Sequence, residues 1–179
     1  PLGGVTELAL AIDPRVLRAL KPNVAFIGGK ALGNGMLAGC VMGSSIWRKS
    51  SYLIGREGSR VASDLVTVED DPLIPRGPGS RPYDGEGLKS RKNLVVENGI
   101  LRTYLCDSYS ARKLGRESTG NAARGGGAGV STSTSNFILR PGKDSHDAIV
   151  KGTSRGLYVT DMMGFGFNEV TGDFSRGAN

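Results

Sequence analysis

Histidine occurs once in this 179-residue chain, at His146, and cysteine twice, at Cys40 and Cys106. One histidine removes every metal motif that needs two imidazoles and leaves a single candidate for a Ser–His or Cys–His pair. Two cysteines can build neither a disulfide scaffold nor a cysteine-rich zinc module. No apolar run approaches the ~18 residues of a membrane span, and no basic-then-apolar leader opens the chain. These absences predict a reducing, cytoplasmic setting with both thiols free and no membrane partner. Aromatic residues are only 6% and do not interleave with the basic clusters Arg48-Lys49, Lys89 to Lys92 and Arg112 to Arg116. Despite a formal charge of +6, that arrangement argues against a single-strand nucleic-acid binder.

What is abundant is glycine, 28 residues, about twice the usual share. The length suits one domain. The chain begins at Pro1 and stops at Asn179 soon after the apolar segment Tyr158–Phe167, which predicts an incomplete domain. Asp13-Pro14 opens a helix that Pro22 stops, and residues 24–27 form a short strand. Residues 35–47 predict one helix, with Gly35, Gly39 and Gly43 on a close-approach face and low propensity of its own. A strand follows at 65–68, then a loop over 72–87 rich in Pro and Gly. Leu94–Glu97 and Ile100–Leu105 flank Asn98-Gly99, the preferred type I′ hairpin turn. Tyr109–Leu114 reads as a helix capped by Ser108 and stopped at Gly115. The low-complexity stretch 118–136 predicts a flexible or surface loop. Phe137–Leu139 reads as a strand, 145–155 as a helix capped by Ser145, Leu157–Met162 as a strand continued to Phe167, and Asn168–Asp173 as a turn. Strands and helices do not alternate, so the expected class is α+β: a mainly antiparallel sheet with a few short helices.

The residues on their own yield no catalytic constellation. The glycine-rich Arg124–Gly129 lacks phosphate-loop spacing and a following helix. Glu69, Asp70 and Asp71 read as solvated charge at a strand end. Asp84 and Glu86 could form an acid/base pair, but nothing nearby supplies a nucleophile. His146 reads as an exposed residue at a helix start, and Cys106 as a buried thiol.

Several motifs recur in a familiar order. Trp47-Arg48-Lys49-Ser50-Ser51-Tyr52-Leu53 leads to Asp84-Gly85-Glu86-Gly87 and the Asn98-Gly99 hairpin. Ser108-Tyr109-Ser110-Ala111-Arg112-Lys113-Leu114-Gly115 and Ser118-Thr119-Gly120-Asn121 follow, then Gly156-Leu157-Tyr158-Val159-Thr160 and Met163-Gly164-Phe165-Gly166. The set closes on Thr171-Gly172-Asp173-Phe174-Ser175-Arg176-Gly177-Ala178. Together these resemble the TldD/PmbA metallopeptidase family, in its PmbA (TldE)-like zinc-free branch, over about residues 35–178. Residues 1–34 match weakly, and the whole chain reads as one partial domain resembling part of the family's C-terminal domain.

The resemblance implies a heterodimeric metallopeptidase. One subunit type binds zinc through His-Glu-x-x-x-His, where two imidazoles hold the ion and the Glu activates its water. The other type lacks the motif and completes the assembly. Here the motif's first His, its Glu and its last His fall at Asn34, Gly35 and Gly39, so the resemblance implies no metal in this chain and zinc in a partner subunit. This chain would then serve proteolysis without being catalytic alone, beside a zinc-bearing TldD-like subunit or through self-association. An extended peptide could add to a sheet edge. The candidate substrate contacts are Asn121 and Arg124 in the loop Asn121–Asn136, Tyr158 in the strand Leu157–Met162, and Ser175 and Arg176, because Arg can clamp a carboxylate bidentately. The alternative is a non-catalytic binding or scaffold protein that keeps the fold.

Overall fold

A computed structural model describes residues 32–125, 129–152, 162–163, 166–173 and 177–178. The expected helix after Asp13, the strand at 24–27 and residues 157–161 of the expected strand Leu157–Met162 lie outside them, as do Tyr158, Ser175 and Arg176. The described residues are α+β, with antiparallel sheets and short helices. None of their helices is long and apolar enough to cross a membrane.

The expected helix over 35–47 is two helices, α1 (Leu32–Val41) and α2 (Gly43–Trp47). Met42 between them is extended, at φ −68° and ψ 130°. The break has a tertiary cause. Met42 pairs with Leu105 in a parallel bridge, where Leu105 N–H donates to Val41 O at 2.9 Å and Gly43 N–H to Leu105 O at 2.6 Å. A stretch rich in glycine has little intrinsic helix stability to set against those bonds. A Cβ on Gly43 would stand 2.6 Å from Cys106 Sγ and 2.8 Å from Ser110 Oγ. Glycine thus lets the backbone approach that closely.

The main sheet has the order β3–β2–β1–β6, built from β1 (Val68–Asp70), β2 (Asn93–Glu97), β3 (Ile100–Leu101) and β6 (Phe137–Leu139). All its pairings are antiparallel, and the β1–β2 register shifts between Val68 and Glu69. The Asn98-Gly99 turn stands as expected, with φ +48° at Asn98 and +78° at Gly99, both left-handed as a type I′ turn requires, but the second strand, expected to run to Leu105, ends at Leu101. The strand expected at 65–68 begins only at Val68. Residues 63–66 form a turn in which Val66 N–H donates to Ser63 O, and Leu65 is 70% exposed. The apolar core joins Val68, Val95, Val96 and Leu101 of the sheet to Val41 and Ile46 of the helices and to Leu105 and Cys106 of the segment leaving the hairpin.

Helix α3 (Ser108–Lys113) is capped by Asp107 rather than Ser108: the Asp107 carboxylate accepts from Ser110 N–H at 2.7 Å. Gly115 follows at φ +64°, as a helix stop should. The expected loop over 118–136 is instead a stretch in which β4 (Ala122–Arg124) pairs antiparallel with β5 (Val130–Thr132). Thr119, Asn121, Ala122, Thr132 and Asn136 are all buried in it. Composition alone misleads here, because the small polar side chains hydrogen-bond to protein groups instead of water. Helix α4 (His146–Gly152) starts where expected, with Ser145 Oγ accepting from Ala148 N–H at 3.2 Å. Met162–Met163 (β7) pairs antiparallel with Gly177–Ala178 (β8). The Asn168–Asp173 turn closes as expected, with Asn168 N–H donating to Asp173 O at 2.9 Å.

Glu69 and Asp70 are buried and not the solvated charge expected. Glu69 is 9% exposed and Asp70 fully buried. Glu69 takes Lys92 Nζ at 2.9 Å and Arg140 Nη2 at 2.5 Å. Burial alone would raise the Glu69 carboxyl, but the hydrogen bonds and charges of Lys92 and Arg140 outweigh it and hold the group below its ordinary value of 4.5. A depressed folded-state value contributes stability that is complete above the unfolded value and lost as pH falls through the folded one. Glu69→Gln should therefore cost stability near neutral pH, and its deficit against the wild type should shrink as pH falls below 4.5. Urea unfolding at several pH values checks this; a deficit that does not change with pH would refute it.

Candidate functional site

Among the described residues, the site candidates fall on helix α1 (Asn34, Gly35 and Gly39) and on β4 and the residue before it (Arg124 and Asn121). Ser110 links the two. Its Oγ donates to Asp107 Oδ1 at 2.6 Å, lies 3.4 Å from Thr132 Oγ1 on β5, and faces the Gly43 backbone just past α1. The start of α2, just past the motif helix, and the hairpin strand β5 thus both meet one buried hydroxyl.

Asn121 lies inside this framework, 1% exposed, with all four hydrogen-bonding positions of its amide used. Its Oδ1 accepts from Thr119 Oγ1 at 2.7 Å and Asn93 Nδ2 at 3.1 Å. Its Nδ2 donates to Asp70 Oδ2 at 2.6 Å and Ser133 O at 3.2 Å. The other Asp70 oxygen accepts from Ser135 N–H at 2.7 Å. Asp70 and Asn121 together therefore tie the sheet to both strands of the hairpin. Arg124, three residues on, is exposed, and its Nε donates to Gly85 O at 3.4 Å.

Asp84 and Glu86 do not form an acid/base pair. Asp84 Oδ1 accepts from Glu86 N–H and Leu88 N–H, both at 2.9 Å, and Oδ2 from Ala122 N–H at 3.2 Å. Glu86 reaches away, its Oε2 accepting from Ser108 N–H at 2.9 Å. Both carboxylates accept from backbone N–H groups instead of facing one another. Nor is either thiol an activated nucleophile. Burial, and then the charge of Glu169, push Cys40 up to about 12. Burial likewise raises Cys106.

Asn34, Gly35 and Gly39 all lie on α1. The space where a Gly39 side chain would begin is already faced: a Cβ there would stand 3.0 Å from Glu169 Oε1. The 168–173 turn reaches this point because Tyr52 N–H donates to Glu169 O at 2.8 Å and Gly172 packs on the Tyr52 ring. Sequence reasoning had no signal for this contact, since residues 39 and 169 are related only through the fold.

Residues 28–179 match the family described as PmbA/TldA metallopeptidase C-terminal domain. The chain belongs to this family. The metalloprotease PmbA of Escherichia coli O157:H7 is 38% identical over 168 residues, covering 93% of this chain and 35% of that protein. The PmbA homolog of Haemophilus influenzae is 38% identical over 170 residues, covering 94% and 36%. The crystal structure of TldE from Thermococcus kodakarensis superposes with a TM-score of 0.66 at 30% identity, over 74% of this chain and 31% of that one. The chain thus spans about a third of the length of the curated relatives it matches. The residues that the resemblance sets at the family's metal motif, Asn34, Gly35 and Gly39, do not fit zinc. Glycine offers no donor atom at positions 35 and 39, and an asparagine amide is a poor substitute for imidazole. Beside Gly39 the described residues bring a single carboxylate, that of Glu169, and no imidazole.

Proposed function

We propose that this chain is part of a PmbA (TldE)-like, zinc-free subunit of a PmbA/TldD-type metallopeptidase complex. In it a separate zinc-bearing subunit performs hydrolysis and this one completes the chamber for an extended peptide. The observation that carries the reading is the Gly39–Glu169 contact. Where the resemblance sets the last metal-binding His, the helix is bare backbone and a carboxylate from the 168–173 turn faces it. The family's helix is retained and its metal donors are not. Family membership and the shared names of the relatives support a role in proteolysis. Two buried, unpaired thiols suit the cytoplasmic setting that is part of this proposal.

The exposed Arg124 at the hairpin's outer end is the described candidate best placed to touch substrate, while Asn121 would shape the site from within. The test is co-purification of the full-length protein with its partners from the native source, followed by a peptidase assay with and without chelator. The expected result is a second, zinc-containing polypeptide and activity that chelator abolishes, with none from this subunit alone. Chelator-sensitive cleavage by this protein alone would overturn the reading. Purification as a lone, inactive protein would also overturn it and leave the scaffold role.

A further inference from the structure

In sequence the basic pairs Arg48-Lys49 and Arg112-Lys113 lie more than sixty residues apart, with no run of aromatics among them. The fold brings them to one surface at the adjoining ends of α2 and α3. The Trp47 and Tyr109 rings meet edge to face, centroids 5.7 Å apart. The Arg48 guanidinium lies 5.1 Å from the Trp47 centroid, and Lys113 Nζ lies 5.8 Å from Trp47 and 5.5 Å from Tyr109. Arg48, Lys49, Arg112 and Lys113 are all exposed, and Tyr109 is 50% exposed. No carboxylate among the described residues forms an ion pair with any of these four cations. Glu86 is engaged at the opposite end of α3, on Ser108 N–H. A position at helix C-termini favours positive charge, but it does not account for the Tyr109 ring left half in water beside it.

We propose that Trp47, Tyr109, Arg48 and Lys113 form a docking surface for an acidic segment of a partner polypeptide, one carrying carboxylates and a large apolar side chain. The charge is the first reason: the patch is cationic without internal neutralisation, so a partner's carboxylates gain pairs without displacing any. The ring geometry is the second. Single-strand nucleic-acid binders offer free ring faces on which bases stack. Here the cations stand over those faces, and what remains is ring edge and rim, which suits an aliphatic or aromatic side chain. The surface stands independently of the peptidase reading, since it includes none of Asn34, Gly35 and Gly39 and needs no metal in any partner.

Trp47 is the only tryptophan, so its fluorescence reports directly on the patch. The protein is titrated with three probes: a Glu-rich peptide bearing one Phe, the same peptide with Gln for every Glu, and an oligothymidylate. The expected result is a saturable change in Trp47 emission with the Glu peptide alone, weakening steeply as salt rises from about 0.05 to 0.5 M. Arg48→Glu/Lys113→Glu should weaken that binding by about tenfold or more. Both positions are exposed, and an unchanged circular dichroism spectrum verifies the fold; Arg48→Gln/Lys113→Gln is the milder second variant. Equal responses to the Glu and Gln peptides would overturn the proposal. So would oligothymidylate binding as tight as the acidic peptide's, or full affinity in folded charge variants.

Discussion

Asn121→Ala is expected to destabilise the protein by about 3–5 kcal/mol, because it strands a fully buried carboxylate. The truncation deletes a group that serves four partners and leaves Asp70 Oδ2, Asn93 Nδ2 and the Thr119 hydroxyl short of one each. Asp70 is 0% exposed, so water cannot replace the lost donor without opening the seam between sheet and hairpin. Such a loss is a large fraction of the 5–15 kcal/mol that holds a typical domain together. Arg124→Ala is the internal control. It lies three residues on, in β4, but is exposed, and should move stability by no more than about 0.5 kcal/mol. Urea unfolding of the two variants decides the matter. If Asn121→Ala falls within about 1 kcal/mol of the control, the buried amide is not the tie described above.

The second large effect is expected at Gly99. Its φ of +78° is one that L side chains rarely adopt, and an added Cβ would stand 2.5 Å from Ser63 O and also strike Ala62 O. That backbone cannot step aside cheaply. Val61 N–H donates to Gly99 O at 2.8 Å, and Gly99 N–H donates to Val66 O at 2.8 Å, so the 61–66 segment is bound to the turn from both sides. Strain of about 1–2 kcal/mol for the left-handed conformation adds to about 1–3 kcal/mol of overpacking. Gly99→Ala should thus cost roughly 2–5 kcal/mol. Gly87 separates the two contributions: its φ is +81°, yet a Cβ there would meet nothing within 4 Å. Gly87→Ala should show the conformational strain alone, about 1–2 kcal/mol. Equal losses at the two sites in urea titrations would show that the 61–66 segment yields to the methyl group.

Local chemistry was legible wherever it involved neighbours in the chain. The Asn98-Gly99 turn, the stop at Gly115, the Ser145 cap and the Asn168–Asp173 turn are set by a few adjacent residues with strong conformational preferences. The misreadings share a different cause. Asp107 displaced Ser108 as a cap by one residue, a difference within the ordinary play of helix ends. The break at Met42 depends on Leu105. The ordered hairpin within 118–136 depends on Asp70 and Asp84, whose carboxylates accept from Asn121 Nδ2 and Ala122 N–H across long stretches of chain. Glu69 and Asp70 read as solvated because a strand end carries no sign of the Lys92, Arg140 and Asn121 that receive them.

The candidate site divides along the same line. The amino-acid sequence by itself determined the family, through an ordered set of short motifs, and it determined that Asn34, Gly35 and Gly39 cannot supply a carboxylate or an imidazole, since side-chain chemistry needs no coordinates. Only the tertiary structure decided that Glu169 faces Gly39, that Asn121 is a buried tie while Arg124 is exposed, and that Arg48 and Lys113 share one pair of aromatic rings. Each of these is a contact between residues far apart in the chain. Such contacts are selected by the packing and hydrogen bonding of the whole domain, to which no local window of sequence has access.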